Sequence, residues 1–186
     1  MRRRLTALSL LCAAVGCGAE RQAPPNPDAA LHSQLERRDF PAAGLSIALP
    51  RQIPIGPVEP PQVFRAGVGD WFMSAFAYPR AEQLPRGRAE LATARRRLIA
   101  QVRRRDPRWR LVSARITRAD GAPAVELVGD QTLARARVRT RSLHVYRGDG
   151  EYVLELAAGR GRFPSLDRST FEPIARSLRV TGEIDN

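Results

Sequence analysis

Two hydrophobic periods alternate along the chain from Phe40 onward. Leu45, Ile47 and Leu49 recur at every second position with smaller residues between them, which predicts a half-buried strand over Ala43–Leu49 that Pro50 ends. Gln62–Ala66 and the aromatic-rich Trp71–Tyr78 predict two more strands around a Gly67–Asp70 turn, and Pro79, with no N–H to give, stops the second. The period then changes. Leu91, Leu98 and Val102, with Ala94 or Ile99 beside them, lie on one stripe of a helix over Arg88–Arg105. Glu90 near its start and Arg103–Arg105 at its end suit the helix dipole, and Asp106-Pro107 closes it. Period two returns over Trp109–Arg118, Pro123–Gly129, Gln131–Thr140, Ser142–Arg147 and Glu151–Ala157, with turns at Asp120-Gly121 and Gly148-Asp149-Gly150. In the third of these, Arg135, Arg137 and Arg139 are expected to face water, opposite Ala134, Ala136 and Val138. The last two strands point Leu143, Val145, Tyr152, Leu154 and Leu156 inward. Pro173 fits only the first turn of a second helix, which places the cap near Ser169 or Thr170 and turns Phe171, Ile174, Ala175 and Leu178 inward; Leu178–Thr181 then reads as a short last strand.

This order predicts an α+β domain: a central, mostly antiparallel sheet of six or seven strands flanked by amphipathic helices. The Trp71–Tyr78 strand and the helix after it, the Asp120-Gly121-Ala122-Pro123-Ala124 hairpin, the His144-Val145-Tyr146 strand and the terminal Phe171…Ser177-Leu178-Arg179-Val180 together resemble the PsbP/Mog1-like family over Phe40–Gly182. That resemblance implies an α/β/α sandwich and an accessory or binding role. Characterised relatives include an extrinsic subunit of a membrane photosynthetic complex and a factor that binds a small GTPase. It implies no partner for this chain, because no diagnostic functional motif of either group can be placed on it.

The N-terminal pattern is of another kind. Arg2–Arg4 precede an apolar run from Leu5 to Val15, too short to span a bilayer but of the length of a secretory signal. Ala14-Val15-Gly16-Cys17 resembles a bacterial lipobox, with Ala14 where Leu is usual. Cleavage before Cys17 would leave it as the sole Cys of the mature chain, excluding an internal disulfide or a Cys-rich metal site and making lipidation its natural role. The expected organisation is a lipoprotein signal over 1–16, a Pro-marked tether over 17–39, one domain over 40–182 and a tail over 183–186. A turn of helix around Leu31–Arg38 is allowed within the tether. The protein is therefore expected outside the cytoplasm, anchored to a cell membrane by lipid on Cys17, whether exported by the Sec or the Tat route.

Composition changes this picture little. The net charge is +12, and all 31 basic residues are Arg. With abundant Ala, Gly and Pro, that pattern reads first as coding bias on a solvated surface, with attraction to anionic headgroups as the functional alternative. No stacking aromatics or recognised module accompany the charge, so nucleic acid is not an expected partner.

Candidate chemistry is sparse. His32 lies in the tether and His144 in a strand; with Cys17 acylated, no metal site and no cofactor is expected. A Ser142 or Ser165–His144–Asp130 arrangement can be drawn, but no nucleophile elbow surrounds either Ser. Arg147-Gly148-Asp149 is most simply a turn. The face bearing His144 and Tyr146, with Glu155 across the sheet, is the candidate surface. If a helix covers it, His144 is a structural residue bonded to a carboxylate; if it is open, the three line a shallow polar groove. The leading functional expectation is a membrane-anchored, non-enzymatic binding or accessory domain with an envelope protein as partner. The alternatives are a carrier or sensor of a lipid or other small hydrophobic ligand, and an envelope hydrolase using His144.

Overall fold

The computed structural model describes residues 34–133 and 135–185. The leader, Cys17, His32 and Ala134 lie outside the described residues. The domain is built on a six-stranded sheet whose neighbouring strands are all antiparallel. Its strands are β3 (Gln62–Val68), β4 (Trp71–Pro79), β5 (Arg110–Ala119), β6 (Ala122–Leu133), β7 (Ala136–Arg147) and β8 (Gly150–Gly159), in the spatial order β3-β4-β8-β7-β6-β5. A smaller sheet packs β1 (Leu35–Phe40) and β9 (Arg179–Val180) on either side of β2 (Leu45–Pro50).

Alternation along the strands separates two hydrophobic clusters, one on each face of the large sheet. Phe64, Met73, Val145, Leu154 and Leu156 point to one side and are sealed by Ile47 of β2 and by Phe171, Ile174 and Leu178 of the C-terminal helical segment. On the other side Val125, Leu127 and Tyr146 meet Leu91, Leu98 and Ile99 of α1 (Arg88–Arg105). The result is the expected α+β sandwich. The ends of α1 have local causes: Glu90 accepts from the backbone N–H groups of Arg86 (2.7 Å) and Gly87 (3.0 Å), and the chain turns extended at Asp106 before Pro107.

Three elements differ from expectation. Gln131–Thr140 is not one strand: the chain reverses near residue 135, where Arg135 has φ 70°, so Gln131–Leu133 extends β6 and Ala136–Thr140 begins β7. Asp130 lies opposite Arg139 across this hairpin, and a local alternation cannot register such a pairing. Leu35–Arg38 is strand rather than helix, because β1 pairs with β2 from Leu35↔Pro50 to Phe40↔Leu45; ordered structure thus begins before Phe40. The second helix starts at Phe163 rather than near Ser169. It runs as α2 (Phe163–Leu166), a wide turn over Asp167–Phe171 and α3 (Glu172–Ser177). In the wide turn the N–H of Glu172 reaches back to the carbonyl of Asp167, and this looser winding accommodates Pro173, which has no N–H for the regular ladder.

Candidate functional site

The face of the large sheet beneath α1 is only partly covered. The helix packs over β5 and β6, leaving a groove of about 510 Å³ between its inner edge and β4, β8 and β7. Val153, His144 and Glu155 form its floor, Phe76 and Tyr78 stand on one wall, and Leu98, Gln101 and Arg105 of α1 on the other. Phe76 and Tyr78 are stacked, their ring centroids 6.1 Å apart. Trp109 closes one end by lying on Gly129, where a Cβ would meet the indole Nε1 at 2.3 Å; only glycine fits beneath the ring. Past Arg80 and Glu151, a second recess of about 500 Å³ continues along the first turns of α1 to Tyr146 and Leu84.

His144 is half-buried, and its Nδ1 lies 2.9 Å from Oε1 of Glu151, a buried carboxylate. Arg80 holds the other oxygen, its Nε donating over 3.0 Å and its Nη2 reinforcing the contact. Burial pushes the Glu151 pKa up, but His144 and Arg80 together outweigh burial and leave it below the ordinary carboxylate value. The candidate surface read from the sequence has Glu155 and not Glu151 as the carboxylate near His144, yet the hairpin carries the signal for Glu151. The tight turn at Gly148-Asp149 sets Tyr146 opposite Glu151, so His144 and Glu151 are diagonal neighbours on one face.

Glu155 behaves differently. It sits between Ser74 of β4 and Ser142 of β7 in register, half-buried, with no hydrogen bond or ion pair among the described residues. Burial raises its pKa, and the more distant charges of His144 and Arg105 oppose the rise. Tyr146 is buried in the cluster under α1, and its hydroxyl is pushed well above the ordinary tyrosine value by burial and then by Glu151. Tyr78 is raised by the same two causes. Of the sequence-derived trio, His144 and Glu155 share the larger recess while Tyr146 lines the smaller one. Both anticipated situations are therefore realised: a helix covers part of the face, and a groove remains beside it.

Asp130, drawn with His144 in the Ser–His–Asp arrangement, lies on the opposite face of the sheet, and so does Glu126. Asp130 is held there by Arg139 (2.7 Å), and Glu126 by Arg141 (2.6 Å) and Arg115. Arg141 also donates to Asp167 (2.6 Å) and lies 4.9 Å from the centroid of the Phe171 ring, stitching the sheet to the C-terminal helical segment. Ser165 belongs to α2, on that same side. The Ser–His–Asp arrangement is therefore not assembled through Asp130 or Ser165. Among the described residues no group of three or more His, Cys, Asp or Glu is placed to hold a metal ion, and no helix is long and apolar enough to cross a membrane.

A large antiparallel sheet with one long helix on one face, and a small sheet with a C-terminal helix on the other, is the PsbP/Mog1-like α/β/α sandwich. Among solved structures the fold is shared with cyanobacterial PsbP (CyanoP) from Synechocystis sp. PCC 6803, at 14% identity and a TM-score of 0.62, covering 91% of this chain and 97% of that one. It is shared also with LpqN of Mycobacterium tuberculosis, described as involved in cell envelope biogenesis, at 12% identity and a TM-score of 0.53 over 81% and 92% of the two chains. A protein from Bacteroides thetaiotaomicron VPI-5482 matches at 12% identity and a TM-score of 0.54, over 80% of this chain and 50% of that one. No family model and no curated protein matches the sequence. At these identities the likeness is one of fold.

Proposed function

We propose that this protein is an exported, lipid-anchored component of the cell envelope whose domain binds an envelope protein through the groove beside α1, without catalysing a reaction. The observation that carries the reading is the groove itself. Stacked aromatics, arginines and a carboxylate with no partner among the described residues converge there, while the histidine at its floor is already engaged by Glu151, which Arg80 also holds. Half-buried aromatics next to polar groups at a rim suit recognition of another surface. The location rests on the Arg2–Cys17 leader, and the envelope role described for LpqN points in the same direction. An anchored domain needs only a weak contact, because tethering to the same membrane raises the effective concentration of a partner.

The alternatives fit less well. The groove is lined by Arg80, Arg105, His144 and Glu155 as well as by apolar groups, which disfavours a carrier for a wholly hydrophobic ligand. A hydrolase built on His144 has its drawn Asp130 and Ser165 on the wrong face of the sheet.

Two measurements test the reading. Metabolic labelling with an alkynyl fatty acid should mark the wild-type chain and not Cys17→Ala, whose membrane fractionation should change; equal labelling of both removes the anchor. A photo-crosslinking side chain at Phe76 should capture a discrete envelope protein that the same probe at Arg168, on the far face, does not. Identical adducts from both positions, or none from Phe76, would remove the groove as the binding site.

A further inference from the structure

The arginines of this domain are not spread evenly over its surface. Arg80, Arg115, Arg139, Arg141, Arg147 and Arg176 each hold a carboxylate. At the corner where α1 ends and β5 begins the situation reverses. Within residues 103–112 five exposed arginines, Arg103, Arg104, Arg105, Arg108 and Arg110, stand against one acid, Asp106. Arg137 of β7 joins Arg108 and Arg110 around the same shallow depression. None of the six forms a salt bridge among the described residues; Arg103 instead lies 6.0 Å over the Trp109 ring. Asp106 is occupied by the backbone N–H groups of Thr132 and Arg108, so it folds the corner more than it neutralises it. Arginines without a salt bridge among the described residues also stand along α1 and at Arg65, Arg118, Arg135 and Arg168, but this corner gathers six of them beside exposed apolar side chains.

A second feature shares the corner. Leu111 and Val112 are 37% and 49% exposed, and with Leu35 they are the large apolar side chains left most open to solvent among the described residues. They follow Arg110 directly on β5, the edge strand of the large sheet, where the register shifts between Leu111 and Ser113. Such an irregularity, with arginines along the strand, discourages pairing by another strand. Exposed apolar side chains next in sequence to a group of unmatched cations suit a lipid interface, where buried apolar area and attraction to anionic headgroups add.

We propose that this corner is a membrane-docking surface, with Arg103–Arg105, Arg108, Arg110 and Arg137 on the phosphates of anionic phospholipids and Leu111 and Val112 reaching the acyl boundary. It deepens the envelope reading given above, but its geometry does not depend on the lipid at Cys17. Because Arg104, Arg105 and Trp109 also line the groove, docking brings that end of the groove to the headgroup layer. A partner entering there would approach along the membrane surface.

The test uses Gly18–Asn186, which contains every strand and helix of both sheets and omits the leader and Cys17, so a failure of lipidation leaves the outcome untouched. Co-sedimentation is measured with vesicles of equimolar phosphatidylglycerol and phosphatidylcholine, and with phosphatidylcholine alone. Binding is expected to the anionic vesicles only, and to be released as salt rises toward about 1 M, where the screening length falls to about 3 Å. Arg108→Gln/Arg110→Gln should weaken partitioning by about 30-fold, following about 1 kcal/mol for each arginine near such a surface. Leu111→Asn/Val112→Asn should also weaken it, while Arg168→Gln on the opposite face should not. Circular dichroism melts confirm that each variant is folded. Equal binding to neutral vesicles, no binding to anionic ones, or an equal loss in Arg168→Gln overturns the proposal. If Leu111→Asn/Val112→Asn binds like wild type and heparin displaces the vesicles, the corner recognises soluble polyanions and the lipid assignment is wrong.

Discussion

Replacing His144 with Ala separates a structural histidine from a functional one. In the folded protein the imidazole Nδ1 is 2.9 Å from Glu151 Oε1, and Arg80 satisfies Oε2. The substitution orphans one oxygen of a carboxylate that is only 7% exposed. Losing a partner of a buried polar group costs about 1–3 kcal/mol. Arg80 remains, and the open groove gives water a path to the vacated position, which places the cost toward the lower end. For a domain of this size that corresponds to a fall in Tm of roughly 2–8 °C. The pH dependence carries a second signature. Glu151 has a pKa below its unfolded value, so its contribution to stability is complete above the ordinary carboxylate range and is lost as pH falls through the folded pKa. Removing His144 takes away part of what holds that pKa down, so acid unfolding of His144→Ala should begin at higher pH than in wild type. Thermal melts in urea from pH 3 to 8 measure both effects. A variant that melts like wild type across that range, yet no longer crosslinks from Phe76, would refute the structural assignment and make His144 a binding residue.

Two further outcomes follow from the charges on either face of the sheet. Arg141→Met removes the shared donor of Glu126 and Asp167 and leaves a buried carboxylate with only the solvent-exposed Arg115. Urea denaturation should show a loss of about 3–5 kcal/mol, recovered in part by adding Glu126→Met; a loss under about 1 kcal/mol would show that the network is not what joins the sheet to α2 and α3. Glu155 has the opposite sign from Glu151: its raised pKa adds stability below the unfolded carboxylate value and withdraws it as pH rises through the folded one. Glu155→Gln should therefore be more stable than wild type at neutral pH, with the advantage shrinking toward pH 4. A constant or inverted difference in Tm would remove burial as the controlling influence on this carboxylate.

Local pattern was enough wherever a few adjacent residues carry the whole determinant. The limits of α1 follow from a stripe of Leu and Val, a carboxylate at Glu90 and the Asp106-Pro107 stop, and the β7–β8 hairpin follows from Gly148-Asp149 between alternating apolar runs. The inward sets Leu143, Val145, Tyr152, Leu154 and Leu156 were legible for the same reason, since alternation puts every second side chain on one face whatever that face meets. The face shared by His144 and Tyr146 was legible too. What packs against that face was not, because it depends on the spatial order of strands that are distant in sequence. Arg135, Arg137 and Arg139 read as a water-facing row, yet Arg139 is half-buried against Asp130, and Arg141, which that row did not include, is buried because β6 and the segment before α3 bring Glu126 and Asp167 to it. The break near Arg135 escaped local reading because the pairing of β6 with β7 decides it, and β1 escaped because an edge strand so polar becomes one only beside β2. Burial of a charge, choice of partner and the opening left beside a helix are properties of elements brought together, and only the tertiary structure supplies them.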